Sequence, residues 1–193
     1  MNETDIKDNR DKEKPGSFMF SLLCDLIVAL AIAAVILFFV RPTIVKQSSM
    51  ENTLKENDYV IMYKQAYRST LPERGDIIIF QSSLEDLNTG QGKLLIKRVI
   101  GLPGDQISIR DSQLYINDSY YEEDYLKDGY TPAETNPLEG ETFIVPDYQY
   151  FVMGDNRAGS IDSRSNDVGC VSLDQIRGKA VLRLFPFNKI SWL

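Results

Sequence analysis

A chain of 193 residues with 21 Lys plus Arg against 28 Asp plus Glu carries a formal charge of −7 and contains no histidine. That length suits one modest domain with an appendage, and the acidic balance, with no long basic run, excludes the electrostatic footprint of a nucleic-acid binder. The missing imidazole removes the commonest general base, the commonest transition-metal ligand and the Ser-His-Asp triad together.

Residues 1–17 are polar and charged, with Pro15 and Gly16 before the composition changes, and read as a disordered tail. From Phe18 to Val40 the chain is apolar except for Ser21 and Asp25, and roughly 20 such residues cross a bilayer as a helix. A cleaved secretory signal has an apolar core of only about 7 to 15 residues, so a retained transmembrane helix over 18–40 is the better reading. Lys7, Arg10, Lys12 and Lys14 precede it and only Arg41 and Lys46 follow closely. The positive-inside rule then puts the tail in the cytoplasm and residues 41–193 on the far side of the membrane.

Beyond Val40 the apolar runs are short, rich in Ile, Val, Tyr and Phe, and punctuated by Gly, Pro, Asn and Asp, which predicts a mainly β domain. Strands are expected at 44–47, 59–64, 76–80, 94–100, 106–109, 113–116, 142–145, 150–153 and 179–185, with a hairpin turn at Arg110, Asp111 and Ser112. A short helix is expected from Ser172, capped reciprocally by Ser172 and Gln175 and stopped by Gly178. Residues 118–140 are acidic, tyrosine-rich and weakly periodic, an excursion from the β body.

The two cysteines, Cys24 and Cys170, have no paired spacing, so no thiolate metal site or disulfide framework is expected. Cys170 reads as a small buried apolar residue, since no histidine exists to activate it. Any hydrolase here needs a different base. Lysine serves when neutral, and desolvation lowers its pKa by several units from about 10.4. Lys97 sits in the apolar run LLIKRVIGLPGD, where strand alternation points it inward and Arg98 outward. Taken alone, it could equally be an edge-strand lysine that blunts unwanted pairing, and Ser48 and Ser49 in KQSSMENTL could be loop hydroxyls or a cap.

The order of apolar segment, SM-x-x-T-L from Ser49, RGDIIIF from Arg74, IKRVIGLPGD from Ile96 and MGDNRAGSIDSR from Met153 resembles the bacterial type I signal peptidases, serine-lysine dyad enzymes of family S26. The resemblance implies an antiparallel, barrel-like or sandwich-like β domain beside the membrane, Ser49 as nucleophile, Lys97 as base, and no cofactor or metal. It further implies that Ser160 hydrogen-bonds and orients the lysine, that Asp162 and Arg164 form a structural ion pair, and that the Ser49 amide is one oxyanion donor. Gln47 occupies the position of a second oxyanion donor, a hydroxyl in some members, while Met50, Leu54, Leu95 and Ile96 are candidates to line the substrate pockets. Where the motif carries proline this chain has Asn52, which loses a fixed φ, and Asn57 replaces a glycine. The implied partners are exported preproteins, cut after small residues of A-x-A type on the outer side of the cytoplasmic membrane, and the lipid bilayer itself. A second reading is a signal-peptidase-like protein, non-cleaving or dedicated to few substrates, that assists surface-protein or pilus assembly.

Overall fold

The structure, a computed structural model, describes residues 15–86, 90–132 and 140–193, with side chains from Met19 onward. It divides into two compact units, residues 1–38 and 39–193. The first contains helix α1 (Pro15–Phe39) except for its last residue, Phe39, which falls in the second. Its side chains from Met19 to Phe39 are all exposed, and this 21-residue span is apolar and long enough to cross a membrane. The tail expected over 1–17 lies outside the described residues except for Pro15, Gly16 and Ser17, which belong to the helix.

The second unit is built from strands β1 (Val40–Ile44), β2 (Tyr59–Tyr63), β3 (Ile77–Glu85), β4 (Gly92–Gly101), β5 (Gln106–Arg110), β6 (Gln113–Ile116), β7 (Ser119–Tyr120), β8 (Thr142–Ile144), β9 (Gln149–Met153), β10 (Val171–Ser172), β11 (Ile176–Phe185) and β12 (Ser191–Trp192). Among the described residues they form an eight-stranded sheet in the order β1-β2-β11-β3-β4-β9-β10, with β12 on β11, and a four-stranded sheet in the order β7-β6-β5-β8. All pairings are antiparallel, in keeping with the mainly β expectation.

Alternation builds the core. Ile77 and Ile79 of β3 pack with Val45, Met50, Leu54, Val60, Met62 and Ala180, whereas Ile78 and Phe80, on the opposite face, pack with Leu95, Val99, Tyr150 and Val152. A third cluster joins the sheets: Ile100, Phe151 and Met153 of the large one meet Ile107, Ile109, Leu114 and Ile116 of the small one. The β5–β6 hairpin turns on Asp111 and Ser112 at φ 51° and 62°, a pair of left-handed residues whose twist suits a two-residue hairpin.

Three local expectations are corrected. The strand placed at 44–47 lies earlier, because β1 pairs Val40 through Ile44 with Tyr63 through Tyr59. The helix from Ser172 is a single 3-10 turn, Leu173–Gln175, although its capping box is present. Gly178 does not stop a helix but lies within β11, where an added Cβ would sit 2.5 Å from the Tyr63 carbonyl oxygen.

Candidate active site

Ser49 is the middle residue of a 3-10 turn, Ser48–Met50, in the connection between β1 and β2. Met50 and Leu54, 1% and 0% exposed, are driven into the β3 core and anchor the turn on its C-terminal side, as Val45 does before it. The loop after β9 grips it from the other side. The Asn156 amide donates to the Ser49 carbonyl at 3.0 Å, and Asn156 Nδ2 donates to the Ser48 carbonyl at 3.1 Å. Gly154 lies so close that a Cβ there would fall 2.3 Å from the Ser49 carbonyl oxygen.

Lys97 reaches the same point from β4, in register with Ile78 of β3. Its neighbours on that strand face, Leu95 and Val99, belong to the apolar core, and Lys97 is 1% exposed. Its Nζ donates to Ser49 Oγ at 2.7 Å and to the Ile96 carbonyl at 3.2 Å. Burial drives its pKa from 10.5 down to about 8; the Asp162 charge opposes that fall and the Arg164 charge adds to it. An amine so placed is neutral in a substantial fraction near pH 8 and can then accept a proton from the hydroxyl it touches.

Arg98 does not run out to solvent as alternation suggested. On the opposite face it clamps Asp155, Nε to Oδ1 at 2.9 Å and Nη2 to Oδ2 at 2.7 Å, and Asp155 also accepts the Thr53 hydroxyl. Ser160 does not hydrogen-bond Lys97 among the described residues. Its hydroxyl donates to Asp162 Oδ2 at 2.6 Å. Asp162 also takes Arg164 Nε at 2.8 Å, Arg164 Nη2 at 3.0 Å and the Gly154 amide at 3.0 Å. Burial alone would raise the Asp162 pKa, but these donors bring it below the ordinary value, so a fixed negative charge acts on Lys97.

A cleft of about 340 Å³ opens over Ser49, bordered by Gln47, Leu84, Lys93, Leu95 and Ile161 among others. Of the apolar residues expected to line substrate pockets, Leu95 borders this cleft, whereas Met50 and Leu54 are core anchors. Ile96 faces away from Leu95 and packs against that same core. Gln47 is exposed at the cleft with extended backbone. The Ser49 amide donates to no protein group among the described residues. Sequence reasoning missed Asn156, Gly154, Leu84 and Ile161; the first two lie inside the MGDNR motif, while Leu84 carries no motif signal.

Such a site on an antiparallel β domain has the make-up of a hydrolase. The family described as signal peptidase, peptidase S26, matches residues 19–185. Signal peptidase I U of Bacillus subtilis (strain 168) is 37% identical over 172 residues, covering 88% of each chain. Signal peptidase I of Bacillus licheniformis is 33% identical over 191 residues and 97% of each chain. The crystal structure of a signal peptidase I from Enterococcus faecalis V583 shares 36% identity at a TM-score of 0.45, covering 57% of this chain and 97% of that one. The chain belongs to the signal peptidase family, peptidase S26. It is accordingly a serine endopeptidase of the signal-peptide-removing class, and the non-cleaving reading is not favoured.

Proposed function

We propose that the chain removes signal peptides from exported preproteins with Ser49 as nucleophile and the neutral amine of Lys97 as general base. The observation that carries this reading is the 2.7 Å contact between Lys97 Nζ and Ser49 Oγ in a site where burial lowers the lysine pKa to about 8.

The preprotein lies extended in the cleft and presents its scissile carbonyl to Ser49. Lys97 takes the hydroxyl proton as Oγ bonds to the carbonyl carbon, then delivers that proton to the departing amine. A water, deprotonated by the same lysine, attacks the acyl-enzyme, and collapse restores the free Ser49 hydroxyl and releases the signal peptide with a new carboxylate. The Ser49 amide, which donates to no protein group among the described residues, is the candidate donor to the developing oxyanion, a contact of the kind worth about 2.7 to 4 kcal/mol. The Gln47 side-chain amide, at the edge of the cleft, is the candidate for the second donor. Leu95, with Leu84 and Ile161, shapes a shallow apolar wall that accepts small residues before the cut. Ser160, Asp162 and Arg164 hold the charge environment of Lys97 and do not touch substrate.

The fully exposed apolar span from Met19 to Phe39 supports membrane association. The finer reading is a single pass through the cytoplasmic membrane, with the basic N-terminal tail inside and the peptidase domain outside, where translocated preproteins emerge.

The test is cleavage of a labelled A-x-A preprotein in detergent, with the cut located by mass spectrometry. Wild type should cut after the small residue, and Ser49→Ala and Lys97→Met should each abolish turnover while remaining folded. Turnover retained in both variants refutes the dyad.

A further inference from the structure

Residues 121–131, within the part of the acidic excursion described between β7 and β8, lie against the turn that carries Ser49. Asn52 Nδ2 donates to the Tyr125 carbonyl at 2.8 Å and to the Leu126 carbonyl at 3.3 Å, contacts that span 73 and 74 positions of chain. Glu51 takes the Lys127 ammonium at 3.1 Å, and the Lys127 amide donates to the Asp155 carbonyl at 3.2 Å. The Tyr125 ring lies 4.0 Å beneath the Arg98 guanidinium, the same group that clamps Asp155.

Both ends of the segment are fastened in the interior. Glu123 forms an ion pair with Arg157, with side-chain exposures of 4% and 1%. Thr131, at 0% exposure, accepts Arg157 Nη1 through its hydroxyl at 2.6 Å. One buried guanidinium therefore holds both ends, and the residues between them reach the serine loop. Nothing in the segment borders the cleft among the described residues.

Asn52 is the link. It stands where the related motif carries proline, and its φ is +105°, a value closed to proline, whose ring fixes φ near about −65°. The loop has therefore departed from the backbone path that a proline would enforce. Met50 and Leu54 pin its ends in the core and Thr53 is held by Asp155, so Glu51 and Asn52 are the stretch left to be held from outside.

We propose that residues 121–131 are a strap that fixes the Ser49 turn, with Asn52 the positioning residue through which the strap acts. The inference rests on Ser49 being the nucleophile. The strap supplies by long-range hydrogen bonds the rigidity that the motif's proline supplies within the backbone. It sets where Ser49 Oγ stands relative to Lys97 and the scissile carbonyl, and a small misplacement of a reacting atom is costly in rate. Because the strap lies outside the cleft, its loss is expected in kcat and not in KM.

Asn52→Gly is the informative variant, because glycine accepts a positive φ freely while both hydrogen bonds to the strap are lost. Full-length protein in detergent is assayed on a labelled preprotein, with Ser49→Ala in the same series and hydrogen exchange followed over 121–131. The expected result is a kcat lower by about tenfold, equal to about 1.4 kcal/mol on the barrier. KM and the pH midpoint should be unchanged, and strap amides should exchange faster. Should Asn52→Gly fold poorly, Asn52→Asp takes its place: it has the same shape and tolerance of positive φ, but a carboxylate cannot donate to the two carbonyls. A folded variant with kcat within twofold of wild type, or with the loss confined to KM, overturns the strap. If Ser49→Ala is inactive in that case, only the strap fails. Turnover retained by Ser49→Ala overturns the nucleophile reading beneath it.

Discussion

Lys97 Nζ stands 2.7 Å from Ser49 Oγ across 48 positions of chain, and the contact is made by the sheet and the core together. Strand β4 delivers the lysine at its register opposite Ile78, and Met50 and Leu54, sunk beside Ile77 and Ile79, hold the serine turn over it. The amine therefore meets the hydroxyl at a point where both residues are buried and a positive charge is poorly solvated.

Activity should follow the neutral form of that amine. Burial holds the Lys97 pKa at about 8, so kcat/KM is expected to climb through pH 7 and reach half its plateau near pH 8. At pH 7 it should stand at about one tenth of the plateau. Preprotein cleavage measured from pH 5 to 10 checks this, and a maximum well below neutrality would exclude Lys97 as the base.

Most of the fold was legible as short apolar runs between turn residues. Strands β2 to β6, β8, β9 and β11 lie where alternation places them, within about three residues at their ends except for β3, which runs on from Phe80 to Glu85. The two-residue strands β7, β10 and β12 were not, because each exists only through its partner: Val171 pairs with Tyr150, and Trp192 with Leu182. Strand β1 was misplaced because Val40 continues the hydropathy of the helix without a break. At the site, the ordered motifs picked out Ser49 and Lys97. An apolar residue beside a serine can be a pocket wall or an anchor, however, and since Leu95 and Met50 are both buried, only the tertiary placement of Leu95 at the edge of the cleft separates it from Met50. The Ser160 hydroxyl goes to Asp162 because that buried carboxylate gathers several donors at once. Contacts such as Asn52 with Tyr125 left no trace in the local pattern, since 118–140 has little periodicity.

The same burial that prepares Lys97 should cost stability. Its folded pKa of about 8 lies below the 10.5 of the free side chain, so between those values the unfolded chain binds the extra proton. Stability from this group therefore rises with pH across that window, by about 3 kcal/mol in total, and is lowest below pH 8. Tyr67, Tyr125 and Cys170, whose pKa values burial raises, act in the opposite sense at alkaline pH. The difference between wild type and Lys97→Met isolates the lysine. Urea unfolding at pH 7 should find the methionine variant more stable, with the gap closing toward pH 10.5; a gap independent of pH would refute the linkage.

Glu123 and Arg157 form a nearly dry ion pair. Removing one partner of such a pair leaves a buried charge uncompensated and typically costs about 3 to 5 kcal/mol. Glu123→Gln is therefore expected to lower unfolding stability by that order, far more than Lys127→Ala, which breaks only the exposed pair with Glu51. Chemical denaturation of both variants makes the comparison, and equal effects would show that Arg157 finds other partners when Glu123 is neutral.

Gly154 is the site's narrowest tolerance. An alanine Cβ there would fall 2.3 Å from the Ser49 carbonyl oxygen and 2.4 Å from Ser160 Oγ, both far inside van der Waals contact. The Ser49 carbonyl is part of the backbone held by the Asn156 amide, so relief of the clash must move the serine turn, the Ser160–Asp162 pair, or both. Gly154→Ala is expected to cut kcat/KM by about a hundredfold, the scale of effect that a misplacement of about 1 Å produces. The loss should exceed any effect on global unfolding, because the strain falls on a loop and not on the apolar core. Preprotein cleavage set beside urea unfolding separates the two. A folded Gly154→Ala enzyme with near wild-type kcat/KM would mean that the serine turn is not held as tightly as these contacts require.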